Sequence, residues 1–199
     1  MEINAALVKQ LRDRTGAPLM NCRDALVEGG GDLAQAEVIL RKKGIAAAAK
    51  KAGRAANEGA VGAYIHAGGK IGVLVEIACE TDFVARTEDF QTLLHDVAMH
   101  IAAANPRFLS REQVTPEVLE KEQEIYRAQV QSLGKPAAVV EKIVEGKLAK
   151  FYEEFCLLDQ RFIKDDKVSV GELVASHVSK FGENVAIRRF ARYKVGEES

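Results

Sequence analysis

Residues 81–86 carry, in the order Thr-Asp-Phe-Val-Ala-Arg, the most informative group of side chains in the chain. They follow an apolar run at 71–80 that alternates like a β-strand, and they precede an amphipathic helix pattern that begins near Thr87. A strand-to-helix corner projects side chains from a rigid support. A large apolar ring beside a carboxylate, without a nucleophile and base to accompany it, suits insertion into another protein better than covalent chemistry.

Side chains that commonly do chemistry are present elsewhere, but their spacing does not favour it. His95 and His100 are five residues apart, which is not the i, i+4 spacing that places two ligands on one helix face, and His177 is remote. Because HExxH and CxxC patterns are also lacking, we expect no metal. The Gly-Gly-Lys sequence at 68–70 lacks the GxxxxGK[ST] pattern, so we expect no direct nucleotide binding. We expect neither catalytic residues nor a cofactor.

The composition indicates a folded protein without a nucleic-acid or membrane signature. The 199 residues are 47% apolar, with a net charge of -1 and a pI near 6.5, enough for one large or two small domains. No apolar run approaches the roughly 20 residues of a membrane span, and the first residues do not resemble a signal peptide. Cys22, Cys79 and Cys156 are widely spaced, which favours reduced, buried thiols in a cytosolic protein.

The N-terminal part of the chain predicts three short helices. Asn4 is a candidate cap for the first, and Asp32 is placed to cap the third, which we expect to end at Gly44. Residues 45–53 are rich in Ala and Lys and predict a helical or frayed linker. The first domain is therefore expected to be a three-helix bundle with its linker, residues 1–54.

The remaining residues, 55–199, predict an α+β core with an antiparallel sheet. A strand pair joined at Gly68-Gly69 leads to a second strand that is apolar on both faces, so we expect this strand to be central. The later elements are expected in this order: a helix to Asn105-Pro106, a helix from Thr115-Pro116 to Gly134, a helix over 136–155, a loop through 164–167, a short helix between Ser169 and Gly182, and a strand over 184–195.

Three strings of residues resemble bacterial elongation factor Ts in its short form, with one copy of the core repeat. They are TDFVAR after GGKIGVLVEIACE at 68–86, LRDRTGAPLMNCRDAL at 11–26, and GENVAIRR at 182–189. They occur in the family's order and, with weaker similarity between them, cover almost the whole chain. The resemblance implies a UBA-like N-terminal bundle and a core of the family's dimerisation-domain type.

The resemblance also implies a function, guanine nucleotide exchange on the GTPase elongation factor Tu. In the family, the corner enters the GTPase domain near the bound magnesium. Phe83 would insert between helices of the partner, accompanied by Asp82, and Thr81 and Val84 would shape and support the corner. The local sequence alone favours a different arrangement, in which Phe83 packs beneath the following helix and Asp82 caps its first turn.

Secondary contacts with the partner are implied at Leu19, Met20 and His66. Family members often have Gly and Met where this chain has Pro18 and Leu19, which leaves Met20 as the better candidate. The alternatives are packing of Leu19 and Met20 inside the bundle, and a solvated turn position for His66.

The short form implies a homodimer, giving a two-plus-two complex with elongation factor Tu. A sheet with an open edge invites pairing with a second chain, and the terminal strand is the candidate edge. We expect the protein in the bacterial cytoplasm, although a chloroplast-encoded copy would look similar.

Two other classes of function stay open from the residues. The bundle could bind ubiquitin-like or helical partners on a dimerising scaffold, in which case residues 1–54 would account for all binding. Alternatively, basic residues could bind RNA. They form one stretch at 41–54 and a second at 188–194, and the second has aromatic neighbours for stacking. A solvated face is the more common role of such charges, so we expect no nucleic acid.

Overall fold

The computed structural model describes residues 3–131 and 136–197, and it confirms an α+β fold with an antiparallel sheet. The expected end of a helix at Gly134 lies outside these residues. The helices are α1 (Ala5–Thr15), α2 (Leu19–Glu28), α3 (Leu33–Lys51), α4 (Asp82–Ala85), α5 (Glu88–Ala104), α6 (Pro116–Gln131), α7 (Ala137–Phe155) and α8 (Val170–Phe181). The strands are β1 (Glu58–Ile65), β2 (Ile71–Cys79), β3 (Arg161–Phe162), β4 (Asp165–Ser169) and β5 (Val185–Lys194).

The three N-terminal helices begin as their sequence predicts. The Asn4 side chain accepts a hydrogen bond from the Ala6 amide (2.9 Å), and the Asp32 side chain accepts one from the Gln35 amide (2.7 Å). Gly16 ends α1 in the left-handed conformation with φ 65°. The apolar faces of the three helices form one small core, whose buried members are Val8, Leu11, Cys22, Ala25, Leu26 and Ala36.

The prediction that the third helix ends at Gly44 is wrong, because α3 continues to Lys51. The Ala- and Lys-rich residues after Gly44 have high helix propensity and carry the helix onward. Gly44 is buried, and a Cβ added there would lie 3.7 Å from the Ala175 carbonyl oxygen of α8. A Cβ at Gly44 would thus make only ordinary van der Waals contact with α8, and Gly44 is an interior residue of α3 and does not end it.

The main sheet has the strand order β1-β2-β5, which confirms that β2 is central. Val73, Val75 and Ile77 are buried on one face of β2, whereas Leu74 on the other face is half exposed. Gly68 and Gly69 have φ of 89° and 68° in the connection between β1 and β2, where only glycine adopts such angles freely.

The prediction of a loop through 164–167 is also wrong. Asp165 begins β4, which pairs antiparallel with β3. This strand is polar because its charged side chains, Asp165, Asp166 and Lys167, are exposed, so its sequence lacks the apolar alternation that marks a strand.

The chain divides into two compact units. One comprises Met1–Ala63, Val75–Asp96 and Glu172–Arg189, and the other Tyr64–Leu74, Val97–Gly171 and Phe190–Ser199. The expected domain boundary after residue 54 stays a prediction. Across residues 3–131 and 136–197, we find no helix long and apolar enough to cross a membrane.

His100 is the centre of a buried polar network in the second unit. Its Nδ1 accepts a hydrogen bond from the Ile163 amide (3.3 Å), so Nε2 carries the proton and donates to Gln160 Oε1 (3.0 Å). The Gln160 amide group in turn donates to the Glu154 carbonyl oxygen (2.6 Å). Burial lowers the pKa of His100, and the hydrogen bond with Gln160 only partly opposes this effect.

We expect the free energy of unfolding to fall as the pH drops below about 6.5, the pKa of an unperturbed histidine. The folded protein disfavours charged His100, so the unfolded chain binds the proton more readily and stability is lost as the pH falls towards the folded pKa. Urea unfolding between pH 7.5 and pH 5 measures this slope. His100→Gln should reduce it; a slope that His100→Gln leaves unchanged would contradict the assignment. A remainder is expected from His177, whose pKa burial also lowers.

Gly59 permits the close approach of β1 to the end of β2. Its φ is 139°, and an added Cβ would lie 2.2 Å from the Ile77 carbonyl oxygen and 2.7 Å from the Ala78 Cα. A side chain here would force the two strands apart near the end of β2, just before the corner that begins at residue 81.

We expect Gly59→Ala to destabilise the protein by about 3 kcal/mol, because backbone strain adds to the steric overlap. Gly53→Ala is the matched control, since a Cβ at Gly53 would point into open space among the described residues. Its effect should stay within about 0.5 kcal/mol. Equal denaturation midpoints for the two variants would refute the steric argument.

Candidate partner-binding site

The corner at residues 81–86 is built by two threonine caps. Thr81 caps α4, because its Oγ1 accepts a hydrogen bond from the Val84 amide (3.4 Å). Thr87 then begins α5, since its Oγ1 accepts from the Phe90 amide (3.2 Å) and donates to the Val84 carbonyl oxygen (2.8 Å). The chain thus turns from β2 into α5 through a single short helical turn.

Phe83 lies on the outside of this turn with 82% of its surface exposed. The local alternative, in which Phe83 packs beneath the following helix and Asp82 is the cap, is therefore wrong. Phe90 supplies the buried ring at the start of α5, and Thr81 supplies the cap. A phenylalanine with this exposure contributes little to the core, and its ring is accessible to another protein.

Asp82 and Val84 flank the exposed ring differently. The Asp82 carboxylate pairs with the Arg86 guanidinium one turn later (2.7 Å), and its side chain is 46% exposed. Val84 is partly buried, and Ala85 behind it is buried. The corner therefore presents one aromatic ring and the ion pair of Asp82 with Arg86 to solvent, above the buried Ala85.

The corner is fixed by hydrogen bonds to the segment that precedes β5. Glu183 Oε1 accepts from the Thr81 hydroxyl (2.7 Å), and Oε2 accepts from the Thr81 amide (3.1 Å). A second contact joins the same two segments in the opposite direction, because Glu80 Oε1 accepts a hydrogen bond from the Asn184 amide (2.6 Å). The Cys79 thiol donates to the Thr81 carbonyl oxygen (3.0 Å), and burial raises its pKa, so it stays protonated.

Sequence reasoning missed this role of Glu183. The residue stands in one of the three resembling strings, but it lies 102 positions from Thr81. No local signal in the sequence could have found this contact, because it joins two segments that are distant along the chain.

The secondary candidates fall into different units. Leu19 and Met20 are the first residues of α2, with 50% and 57% of their surfaces exposed, so they do not pack inside the bundle. They belong to the same compact unit as residues 81–84. His66 belongs to the other unit, where it is exposed in the connection between β1 and β2, with Nδ1 3.2 Å from the Tyr64 hydroxyl.

The basic residues of β5 are engaged within the protein. The Arg188 guanidinium donates to the Ala56 carbonyl oxygen (3.0 Å), and Arg189 pairs with Glu76 (2.7 Å). Arg192 and Lys194 both pair with Glu197 (3.0 and 3.5 Å). Two carboxylates therefore offset about half of the positive charge of these four residues, which weakens the RNA-binding alternative without removing the charge.

The three cysteines are buried free thiols, as predicted. Within the described ranges we find no cluster of His, Cys, Asp or Glu side chains arranged to hold a metal ion.

Comparison with known proteins identifies the family. A family model described as Elongation factor TS matches residues 46–197. The chain belongs to the elongation factor Ts family. The protein called elongation factor Ts in Koribacter versatilis is 64% identical over 99% of this chain and 90% of its own. Those of Geobacter sulfurreducens and Caldanaerobacter subterraneus are each 58% identical, over 99% and 98% of this chain and 91% and 98% of their own. Membership implies a nucleotide exchange role in translation elongation.

The exposure of Phe83 predicts that its ring contributes little to folding. We expect Phe83→Ala to change the free energy of unfolding by less than about 0.5 kcal/mol. Phe90→Ala, at a ring with no exposed surface, should cost about 3–5 kcal/mol. Denaturant unfolding of the two variants tests this, and a loss at Phe83 comparable with that at Phe90 would contradict the exposed position.

Proposed function

We propose that this protein is a guanine nucleotide exchange factor for elongation factor Tu, which binds the GDP form and promotes GDP release and GTP loading. The observation that carries the proposal is the exposure of Phe83, which is 82%. Phe83 lies on a corner whose backbone is held by the five hydrogen bonds of Cys79, Thr81 and Thr87 described above. Its function needs no covalent step, so the protein is an exchange factor and not an enzyme.

The exchange follows from thermodynamic linkage. Such a GTPase holds GDP through its phosphate loop and a magnesium ion. A partner that stabilises a conformation with a disturbed magnesium site weakens nucleotide binding, and nucleotide weakens partner binding by the same factor. GTP rebinding therefore releases the exchange factor, which acts repeatedly without binding the nucleotide itself.

The corner residues take separate roles in this proposal. Phe83 inserts between helices of the GTPase domain, and burial of one phenylalanine ring supplies about 1.5–3 kcal/mol. Asp82 accompanies it and disturbs the magnesium-site network, while Thr81 and Val84 hold the turn. Because the turn is already ordered in the free protein, little conformational entropy is lost on binding.

Further contacts extend the interface. Leu19 and Met20 supply an exposed apolar pair on the proposed UBA-like domain, residues 1–54. His66 belongs to the proposed core domain, residues 55–199, and supplies a polar contact.

The proposal includes assembly and location. In the described part of the sheet, β5 is an edge strand, which supports pairing with a second copy. Two copies would bind two molecules of elongation factor Tu in the bacterial cytoplasm, with no part for a membrane, a metal or nucleic acid.

Release of a fluorescent GDP analogue from purified elongation factor Tu tests the proposal. We expect acceleration at substoichiometric amounts of this protein. Phe83→Ala should lower the exchange rate at least about tenfold, because the loss of a central aromatic contact typically costs about 2 kcal/mol or more.

Ile125→Ala is the control, since Ile125 is also an exposed apolar residue (41%) but lies on α6, to which the proposal assigns no contact. It should retain most of the activity. Normal exchange by folded Phe83→Ala would remove the insertion role, and a wild-type protein without any acceleration would remove the exchange function.

A further inference from the structure

We propose that Glu183 is a positioning residue that sets the orientation of Phe83 by holding Thr81. This inference rests on the proposed function of the corner and adds a residue to which that proposal assigns no part. Glu183 itself does not need to touch the partner.

The contact between Glu183 and Thr81 is bidentate. One carboxylate oxygen accepts from the Thr81 hydroxyl (2.7 Å) and the other from the Thr81 amide (3.1 Å). Hydrogen bonds to a charged acceptor are stronger than neutral ones, and two of them define a direction as well as a distance. Thr81 Oγ1 also accepts a hydrogen bond from the Val84 amide, so the same hydroxyl group links Glu183 to the turn that carries Phe83.

The backbone on either side of Glu183 is itself restrained. Gly182 adopts φ 74° and its amide donates to the Val178 carbonyl oxygen of α8 (3.1 Å), which ends that helix. Asn184 is buried, and its side-chain amide donates to the Arg54 carbonyl oxygen (2.8 Å), beyond the end of α3. Glu183 therefore reaches Thr81 from a support held on both sides.

The contact also has a counterpart that strengthens it. Glu80 accepts from the Asn184 amide (2.6 Å) and pairs with Arg54 (3.5 Å). Each of two adjacent residues at the end of β2 is thus tied to one of two adjacent residues before β5. Rotation of the corner about Thr81 would break several of these bonds together.

Two substitutions separate geometry from charge. Glu183→Ala removes both acceptors. Glu183→Gln keeps an oxygen for the Thr81 amide and presents an amide group to the Thr81 hydroxyl oxygen, so it preserves the contact without the charge. Glu76→Ala is the matched control, because it removes another partly exposed carboxylate of the same unit, one that pairs with Arg189.

The first measurement is amide hydrogen exchange by NMR on the full-length protein alone. Loss of hydrogen bonds to a charged group should raise exchange at Thr81 and Val84 about tenfold in Glu183→Ala. Glu183→Gln should stay close to wild type, and Glu76→Ala should have no effect at these positions. Unchanged exchange in Glu183→Ala would overturn the inference, whatever the protein does to a GTPase.

The second measurement is a double-mutant cycle on nucleotide release. Glu183→Ala should lower the exchange rate about tenfold in the wild-type background but add nothing in Phe83→Ala, because positioning matters only while the ring is present. Glu183→Gln should restore the rate. Independent, multiplying losses would overturn the inference, as would a Glu183→Gln variant as slow as Glu183→Ala.

The two experiments fail separately. If the wild-type protein does not accelerate GDP release, the proposed function fails, and amide exchange still decides whether Glu183 orders the corner. If acceleration occurs and amide exchange is insensitive to Glu183, the proposed function stands and the positioning role falls.

Discussion

The carboxylate of Glu183, shared between the amide and the hydroxyl of Thr81, is the interaction on which the candidate site depends. It joins the end of β2 to the start of β5, the two neighbouring strands whose pairing forms one side of the sheet. The corner is therefore an extension of the sheet and not a free loop. A side chain mounted on such a corner keeps its direction at little entropic cost.

The exposed ring of Phe83 would gain free energy on burial against another molecule. A phenylalanine left in water forgoes roughly the 1.5–3 kcal/mol that burial would supply. The surrounding residues do not require the ring, since Phe90 fills the adjacent core position and Thr81 supplies the cap. The ring therefore adds little to folding and is accessible for contact with another protein.

The distribution of charge and of exposed apolar side chains bears on whether a nucleic acid or a protein is the partner. The arginines of β5 look, in sequence, like a strip for nucleic acid, but their guanidinium groups bond to Ala56, Glu76, Ala102 and Glu197. The exposed apolar residues Leu19, Met20 and Phe83 instead lie in one compact unit. Burial of these apolar side chains against a protein would be favourable.

Local signals in the sequence were enough to predict most of the elements. Asn4 and Asp32 cap their helices, the alternation in β2 marks a central strand, and Thr81 to Thr87 marks the corner, because each depends on neighbours within a few residues. Gly44 misled the prediction because a glycine ends a helix only where the following residues leave the helical conformation, and the Ala- and Lys-rich residues after Gly44 continue α3. The polar strand β4 was missed because its pairing with β3, and not its own pattern, makes it a strand. The residue types of the corner could be taken from the sequence, but the exposure of Phe83 and the hold of Glu183 on Thr81 could not. Both are decided by the tertiary structure: the packing of the core buries Phe90 and leaves Phe83 outside, and the contact between Glu183 and Thr81 joins residues 102 positions apart.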